Sequence, residues 1–245
     1  MRRYAAYLFD LYGTLCDIHA DEQMPALWRR MAAFYGAHGA EWSPGALKAA
    51  YFDGVRAAEE ALRARFDYPE ADVLPIFAAL FRDPGVQAGD PRAYQAARVF
   101  REASLTRLRA YAGAGELLDA LHGAGAKVFL LSNAQSAFTM PEIEEIGLAE
   151  RFDRIYISSD YGCKKPDPRF FRALLDTQKL APEDCLMIGN DPVCDIGGAR
   201  GVGMDGFYIH CALSPKWPEG GVRAAGVQLG MDLRAVRRAL LSGRR

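Results

Sequence analysis

Asp10 closes the apolar run from Tyr4 to Phe9 and opens a turn that contains Gly13 and Thr14. A carboxylate at the edge of a core loses hydration, a cost tolerated where the charge is used. Asp10 and Thr14 form D-x-x-x-T, which either caps the following turn or presents a nucleophilic carboxylate that forms a covalent intermediate. Three more apolar runs end in polar groups. Ser132-Asn133 follows Val128 to Leu131, and either caps a helix or supplies a hydroxyl and neighbouring backbone N–H groups to a substrate anion. Ser158-Ser159-Asp160 follows the run from Arg154. Gly189-Asn190-Asp191 follows Cys185 to Ile188 and leads to Asp195.

Lys164-Lys165-Pro166-Asp167-Pro168 adds the cation. Lys165 is read as the ammonium that faces Asp10 and a substrate anion, keeping the nucleophile ionised and offsetting transition-state charge. Lys164 is read as solvated. Asp10, Asp191 and Asp195 gathered at one place would raise at least one carboxyl pKa unless a hard cation joins them. Lys165 alone does not balance three carboxylates, whereas Mg²⁺ does. Asp191 or Asp195 also suits a helix cap.

These groups need a scaffold that aligns the ends of several strands. Strands are expected over Tyr4–Phe9, Lys127–Leu131, Arg154–Ser158, Cys185–Ile188 and Gly206–His210. Helices are expected over Glu116–His122, Pro141–Glu145, Pro168–Thr177, Asp195–Arg200 and Asp232–Leu241. Short apolar strands alternating with helices give an α/β fold, a Rossmann-like parallel sheet with helices on both faces. Its sites lie at the carboxyl ends of the strands. From Ala20 to Tyr111 the chain is rich in Ala, Arg, Leu and Glu, with helical spacing at Leu27, Met31 and Phe34 and repeated prolines. That stretch reads as helices with essentially no strand, an inserted cap. The expected division is a core of 1–16 and 112–245 and a cap of 17–111.

The chain has 245 residues, half of them apolar, and a formal charge of −1. This size accommodates a core with an insert. The near-neutral balance argues against nucleic acid as a partner. Five cysteines without metal-type spacing read as reduced thiols in a cytoplasmic protein. The run after Met1-Arg2-Arg3 is too short for a signal peptide and Asp10 interrupts it. No stretch is long enough to span a membrane. Trp28, Phe34, Tyr35 and Trp42 read as core at helical spacing before they read as a substrate entrance.

Together, FDLYGTL at Phe9–Leu15, LLSNA at Leu130–Ala134, KKPDP at Lys164–Pro168 and IGNDPVCDI at Ile188–Ile196 resemble, in order, the haloacid dehalogenase-like (HAD) hydrolase superfamily. The resemblance implies Asp10 as nucleophile, Thr14 and Ser132 as anion contacts, Lys165 as the stabilising ammonium, and Asp191 and Asp195 as an acidic metal pair. The backbone carbonyl of Tyr12 would join them around Mg²⁺. Two features diverge. Phosphatases of the superfamily carry D-x-D in the first motif, where the second Asp is the acid and base. Here Tyr12 holds that place, as in 2-haloacid dehalogenases. A phenol of pKa about 10 is a poor base near neutrality, and halide release needs no proton. The fourth motif is phosphatase-like instead, although Asn190 occupies a position that is often Asp, so Asn190 or Asp191 takes the ligand role. Leu27-Trp28-Arg29 is similar to a dehalogenase cap segment whose Arg contacts halide. The expectation is Mg²⁺-dependent hydrolysis of a small phosphorylated metabolite through an aspartyl phosphate, with Asp17 or His19 as a substitute proton source. The alternatives are metal-independent dehalogenation, or a feebly catalytic protein that binds a phospho-ligand or a protein.

Overall fold

The computed structural model describes residues 2–242, so Met1 and positions 243–245, at the outer ends of the expected core segments, lie outside it. Strands β1 (Ala6–Phe9) and β2 (Cys16–Ala20) are followed by helices α1 (Pro25–Gly36), α2 (Pro44–Leu62), α3 (Leu74–Ala79) and α4 (Pro91–Ser104). Then come β3 (Leu105–Ala110), α5 (Ala114–Gly123), β4 (Lys127–Ser132), α6 (Ser136–Glu145), β5 (Arg154–Ile157) and α7 (Pro168–Gln178). The chain continues through β6 (Cys185–Gly189), a π-helical turn Pro192–Gly197, α8 (Gly198–Gly201), β7 (Asp205–His210), β8 (Gly226–Leu229) and α9 (Leu233–Leu241).

Six strands form one parallel sheet in the order β5-β4-β1-β6-β7-β8. The period of two along a strand sends alternate residues to opposite faces. Tyr7, Phe9, Val128, Leu130, Leu186 and Ile188 pack with Leu117, Leu121 and Val236 of α5 and α9. Leu8, Phe129, Leu131 and Met187 pack on the other face with Phe170, Phe171 and Leu174 of α7. Both faces are therefore buried, which explains the unbroken apolar strands. Because the strands are parallel, all their carboxyl ends share one edge. The chain runs outward from β1 through β4 to β5 and returns on the far side of β1 as β6. That reversal opens a crevice beside Asp10.

Helices α1 to α4 enclose a second apolar cluster, in which Tyr51 stacks on Phe77 at 5.3 Å. Trp28 and Tyr35 are core residues there, with Phe34 and Trp42 packed against them. Phe138 of α6 enters this cluster and stacks on Phe100 at 5.9 Å. The expectation of no strand between Ala20 and Tyr111 is corrected at the roots of the segment, where β2 pairs antiparallel with β3. The Thr106, Arg107 and Leu108 stretch follows a helix without a breaking residue, so the periodicity concealed the change. Helix α6 starts at Ser136 rather than Pro141, and the helical turn after β6 begins at Pro192 rather than Asp195. The edge strand β8 escaped notice because its outward residues Val227 and Leu229 are exposed.

Candidate active site

Asp10, Ser132 and Asn190 arrive at one edge on β1, β4 and β6, which are hydrogen-bonded neighbours. Lys165 comes from the loop ahead of α7, and its ammonium sits at the centre. Nζ lies 2.9 Å from Asp10 Oδ1, 2.7 Å from Asp195 Oδ1 and 2.7 Å from the Leu131 carbonyl. Lys165 is 2% exposed, Asp195 1% and Asp10 8%. Burial disfavours the charged amine, but the two carboxylates outweigh it and raise the Lys165 pKa. Burial pushes the Asp195 carboxyl above its usual range, with Lys165 opposing and the Asp10 charge adding to the shift.

Local geometry explains the glycines of the motifs. A Cβ on Gly189 would fall 2.1 Å from Asp195 Oδ2, so only glycine lets that carboxylate lie over the strand end. Gly13 has φ +81°, and a Cβ there would meet the Asn190 amide at 2.3 Å. The Thr14 hydroxyl lies 3.2 Å from Asp10 Oδ2 and 3.3 Å from Asn190 Oδ1, so one proton serves either acceptor. Asp191 Oδ1 accepts from the Val193 and Cys194 N–H groups at 2.8 Å each, which caps the turn. Its backbone N–H donates to Asp195 Oδ2 at 2.9 Å. Capping thus engages one oxygen of Asp191, while the Asn190 amide oxygen stands beside Thr14.

The Ser132 hydroxyl is fully buried and has no hydrogen-bond partner among the described residues. A buried polar group is ordinarily paired, so this hydroxyl suits a ligand atom. Asn133 sits differently from the expected side-chain contact with substrate. Its Oδ1 accepts from the Lys165 N–H at 2.7 Å and its Nδ2 donates to the Lys165 carbonyl at 2.9 Å. The amide clamps the lysine backbone, leaving Asn133 only its backbone N–H for an anion.

Tyr12 is also committed elsewhere. Its hydroxyl donates to Glu142 Oε2 at 2.5 Å and lies 2.9 Å from Thr139 Oγ1. Arg101 of α4 completes this cluster through an ion pair with Glu142. Burial, then the Glu142 charge, raises the phenol pKa. Sequence reasoning missed Glu142 and Arg101. The signal was there: Glu142 follows Phe138 and Thr139 at helical spacing on a face that buries Ile143.

A cavity of about 210 Å³ opens at these strand ends, lined by Asp10, Tyr12, Lys165, Asp191 and Asp195 among others. Asp17 and His19 do not line it: Asp17 pairs with Arg107 at 2.9 Å, and His19 Nδ1 meets the Thr106 hydroxyl at 2.7 Å. Arg29 is exposed on α1 and does not line it either. Among the described residues no three acidic, His or Cys side chains converge as a preformed metal cluster. The available donors are two carboxylates, one further carboxylate oxygen, an amide oxygen and backbone carbonyls. That all-oxygen set suits Mg²⁺, which retains several waters and needs only one or two carboxylates.

The sequence profile of the haloacid dehalogenase-like hydrolases matches residues 4–203. Phosphoserine phosphatase from Thermus thermophilus is 33% identical over 168 residues, covering 65% of this chain and 67% of that protein. The crystal structure of a HAD phosphatase from Thermococcus onnurineus superposes with TM-score 0.63 at 20% identity over 100% of both chains. A dehalogenase solved with its intermediate complex superposes with TM-score 0.61 at 21% identity, again over 100% of both. At such identities the two structures establish the fold, which phosphatases and dehalogenases share. No helix among the described residues is long and apolar enough to cross a membrane. With the motif residues gathered at one sheet edge and the profile covering most of its length, this chain belongs to the haloacid dehalogenase-like hydrolase family.

Proposed function

We propose that the protein is a Mg²⁺-dependent phosphatase acting on a small phosphate monoester through an aspartyl phosphate on Asp10. The observation that carries this reading is the second carboxylate: Asp195 shares the Lys165 ammonium with Asp10. Displacing a halide calls for one free carboxylate and no cation, and a second carboxylate would serve there only as the base that activates water to hydrolyse the aspartyl ester. Phosphoryl transfer gains from a cation held between carboxylates, because charge spreads over the phosphoryl oxygens. The phosphatase relative from Thermus supports the same choice.

In this reading Lys165 pairs with Asp10 and neutralises the incoming phosphoryl group. The Ser132 and Thr14 hydroxyls and the Asn133 backbone N–H hold its oxygens. Asp10, the Tyr12 carbonyl and Asp195 hold Mg²⁺, with the remaining oxygen of Asp191 or the Asn190 amide completing the protein ligands. Bound there, Mg²⁺ supplies charge neutralisation of the phosphate. The Tyr12 phenol donates to Glu142 and does not serve the leaving group. Turnover is therefore slow for alkyl esters and faster for activated leaving groups such as aryl phosphates. Helices α1 to α4 act as a cap over the site, with its division from the core near residues 16 and 111. Five free cysteines support a cytoplasmic location.

Tyr12 is the feature that favours dehalogenation instead. A panel of phosphate esters and 2-haloacids, run with Mg²⁺ or with excess chelator, separates the two. Mg²⁺-dependent phosphate release that disappears in Asp10→Asn is the expected result. Chloride release from 2-chloropropionate in chelator would establish the dehalogenase, and phosphatase activity indifferent to Mg²⁺ would sink the metal assignment.

A further inference from the structure

The helical segment touches the core at a further place, away from both its β2–β3 roots and the contact of α4 with α6. Residues 68–70 lie antiparallel to residues 162–164, with a bridge between Pro69 and Cys163. The Lys164 N–H donates to the Tyr68 carbonyl at 2.9 Å, and the Glu70 N–H to the Gly162 carbonyl at 3.0 Å. Gly162 has φ +73°, and a Cβ there would sit 3.3 Å from the Phe66 ring. The loop at 162–164 and the strap at 68–70 thus press together as backbone on backbone.

Lys164 joins them a second time. Its Nζ lies 3.4 Å from Glu59 Oε1 on α2 and 3.5 Å from Glu70 Oε2 on the strap. Glu70 is itself tied to the strand ends, accepting from Gln135 Nε2 at 3.0 Å and from the Ser158 hydroxyl at 3.3 Å. The expectation that Lys164 is solvated is therefore corrected. It is the cation of a junction between the helical segment and the loop that carries Lys165.

That loop pairs with no strand of the sheet. Its backbone is pinned on one side by Asn133 and on the other by the strap. The ammonium of Lys165 has to reach three oxygens at 2.7 to 2.9 Å, a tolerance that a small shift of the loop exceeds. We propose that Lys164 is a positioning residue, whose ion pairs with Glu59 and Glu70 seat the strap on the loop and thereby hold Lys165 on Asp10. The kinetic consequence rests on the phosphatase reading. The mechanical coupling does not.

Two measurements on the full chain test it. With Mg²⁺ and p-nitrophenyl phosphate, Lys164→Met is expected to lower kcat roughly tenfold with KM within about twofold, since misplacement by about 1 Å costs up to about a hundredfold. Lys164→Arg, which keeps both ion pairs, is expected to restore kcat. Loss of thermal stability with kcat unchanged would overturn the proposal, as would a defect that Arg does not rescue. Amide hydrogen exchange is the second measurement. In Lys164→Met the amides of 66–73 and 162–165 are expected to speed up together, and a strap that loosens while 162–165 stays protected would also overturn it. Should the wild-type protein hydrolyse no phosphate ester, the phosphatase reading fails, and the exchange result alone decides the coupling. Should Lys164→Met not fold, Glu59→Gln on α2 is expected to give the same pattern in smaller measure, and wild-type behaviour there would count against the proposal.

Discussion

Replacing Arg101 by Met removes the cation that pairs with Glu142, and with it the guanidinium that lies over the Phe138 ring. Glu142 is 4% exposed and Arg101 has 15% of its side chain exposed, so both charges lie largely out of water. In the variant the carboxylate keeps only the Tyr12 hydroxyl and loses the guanidinium that donates to both of its oxygens. Breaking a buried pair on one side costs about 3–5 kcal/mol, because the other charge stays behind without compensation. For a chain of this size the entropy of unfolding makes that a fall in Tm of roughly 6–10 °C. Urea unfolding and scanning calorimetry read it directly. The second variant is diagnostic. Arg101→Met with Glu142→Gln removes the stranded charge and still offers Tyr12 an amide oxygen. The double variant is expected to regain more than half of the loss, about 2 kcal/mol. A cost below about 1 kcal/mol for Arg101→Met, or additive costs in the double variant, would show that the pair is not buried as a unit. Either would mean that Glu142 is wet or that the cluster carries no strain of charge.

Other outcomes follow from the same geometry. Ser132→Ala should leave stability within about 1 kcal/mol, because the hydroxyl has no protein partner to lose. It should raise KM for a phosphate ester, and steady-state kinetics alongside a melting curve reads both. Asn133→Ala should act chiefly on kcat by releasing the Lys165 backbone. An unchanged kcat with raised KM would instead make Asn133 a substrate contact. Asp153 provides a pH test away from the site. Burial opposes its ionisation, but hydrogen bonds from Lys127 and the Val128 N–H, each 2.8 Å, hold its carboxyl below the usual range. A lowered folded pKa stabilises the fold above the unfolded value, about 3.9, and that contribution is lost as pH falls through the folded value. Asp153→Asn should therefore cost about 1 kcal/mol at pH 7 and progressively less below about pH 4. A cost that stays constant from pH 7 to pH 3 would disprove the assignment.

Spacing along the chain was enough to place Asp10, Ser132 and Asn190 at the ends of β1, β4 and β6. Strand ends are legible because alternation, apolar runs and the polar groups that stop them are local properties. Parallel strands share one carboxyl edge, so the gathering of the motifs followed without coordinates. Packing decided the rest. That Lys165 lies between Asp10 and Asp195, and that Lys164 joins Glu59 to Glu70, depends on segments 30 to 155 residues apart meeting in space. The role of Asn133 depends on which backbone it faces, and the two ends of its amide are spoken for only once the Lys165 loop folds beside β4. Tyr12 shows the difference most clearly. Its residue type alone bears on phosphatase against dehalogenase chemistry. Its hydroxyl, however, is turned to Glu142 and Arg101, 130 and 89 positions away. Side-chain direction in a folded chain is set by the neighbours that satisfy buried polar groups; helical spacing marks Glu142 as buried, but no local pattern says that it meets Tyr12 and Arg101.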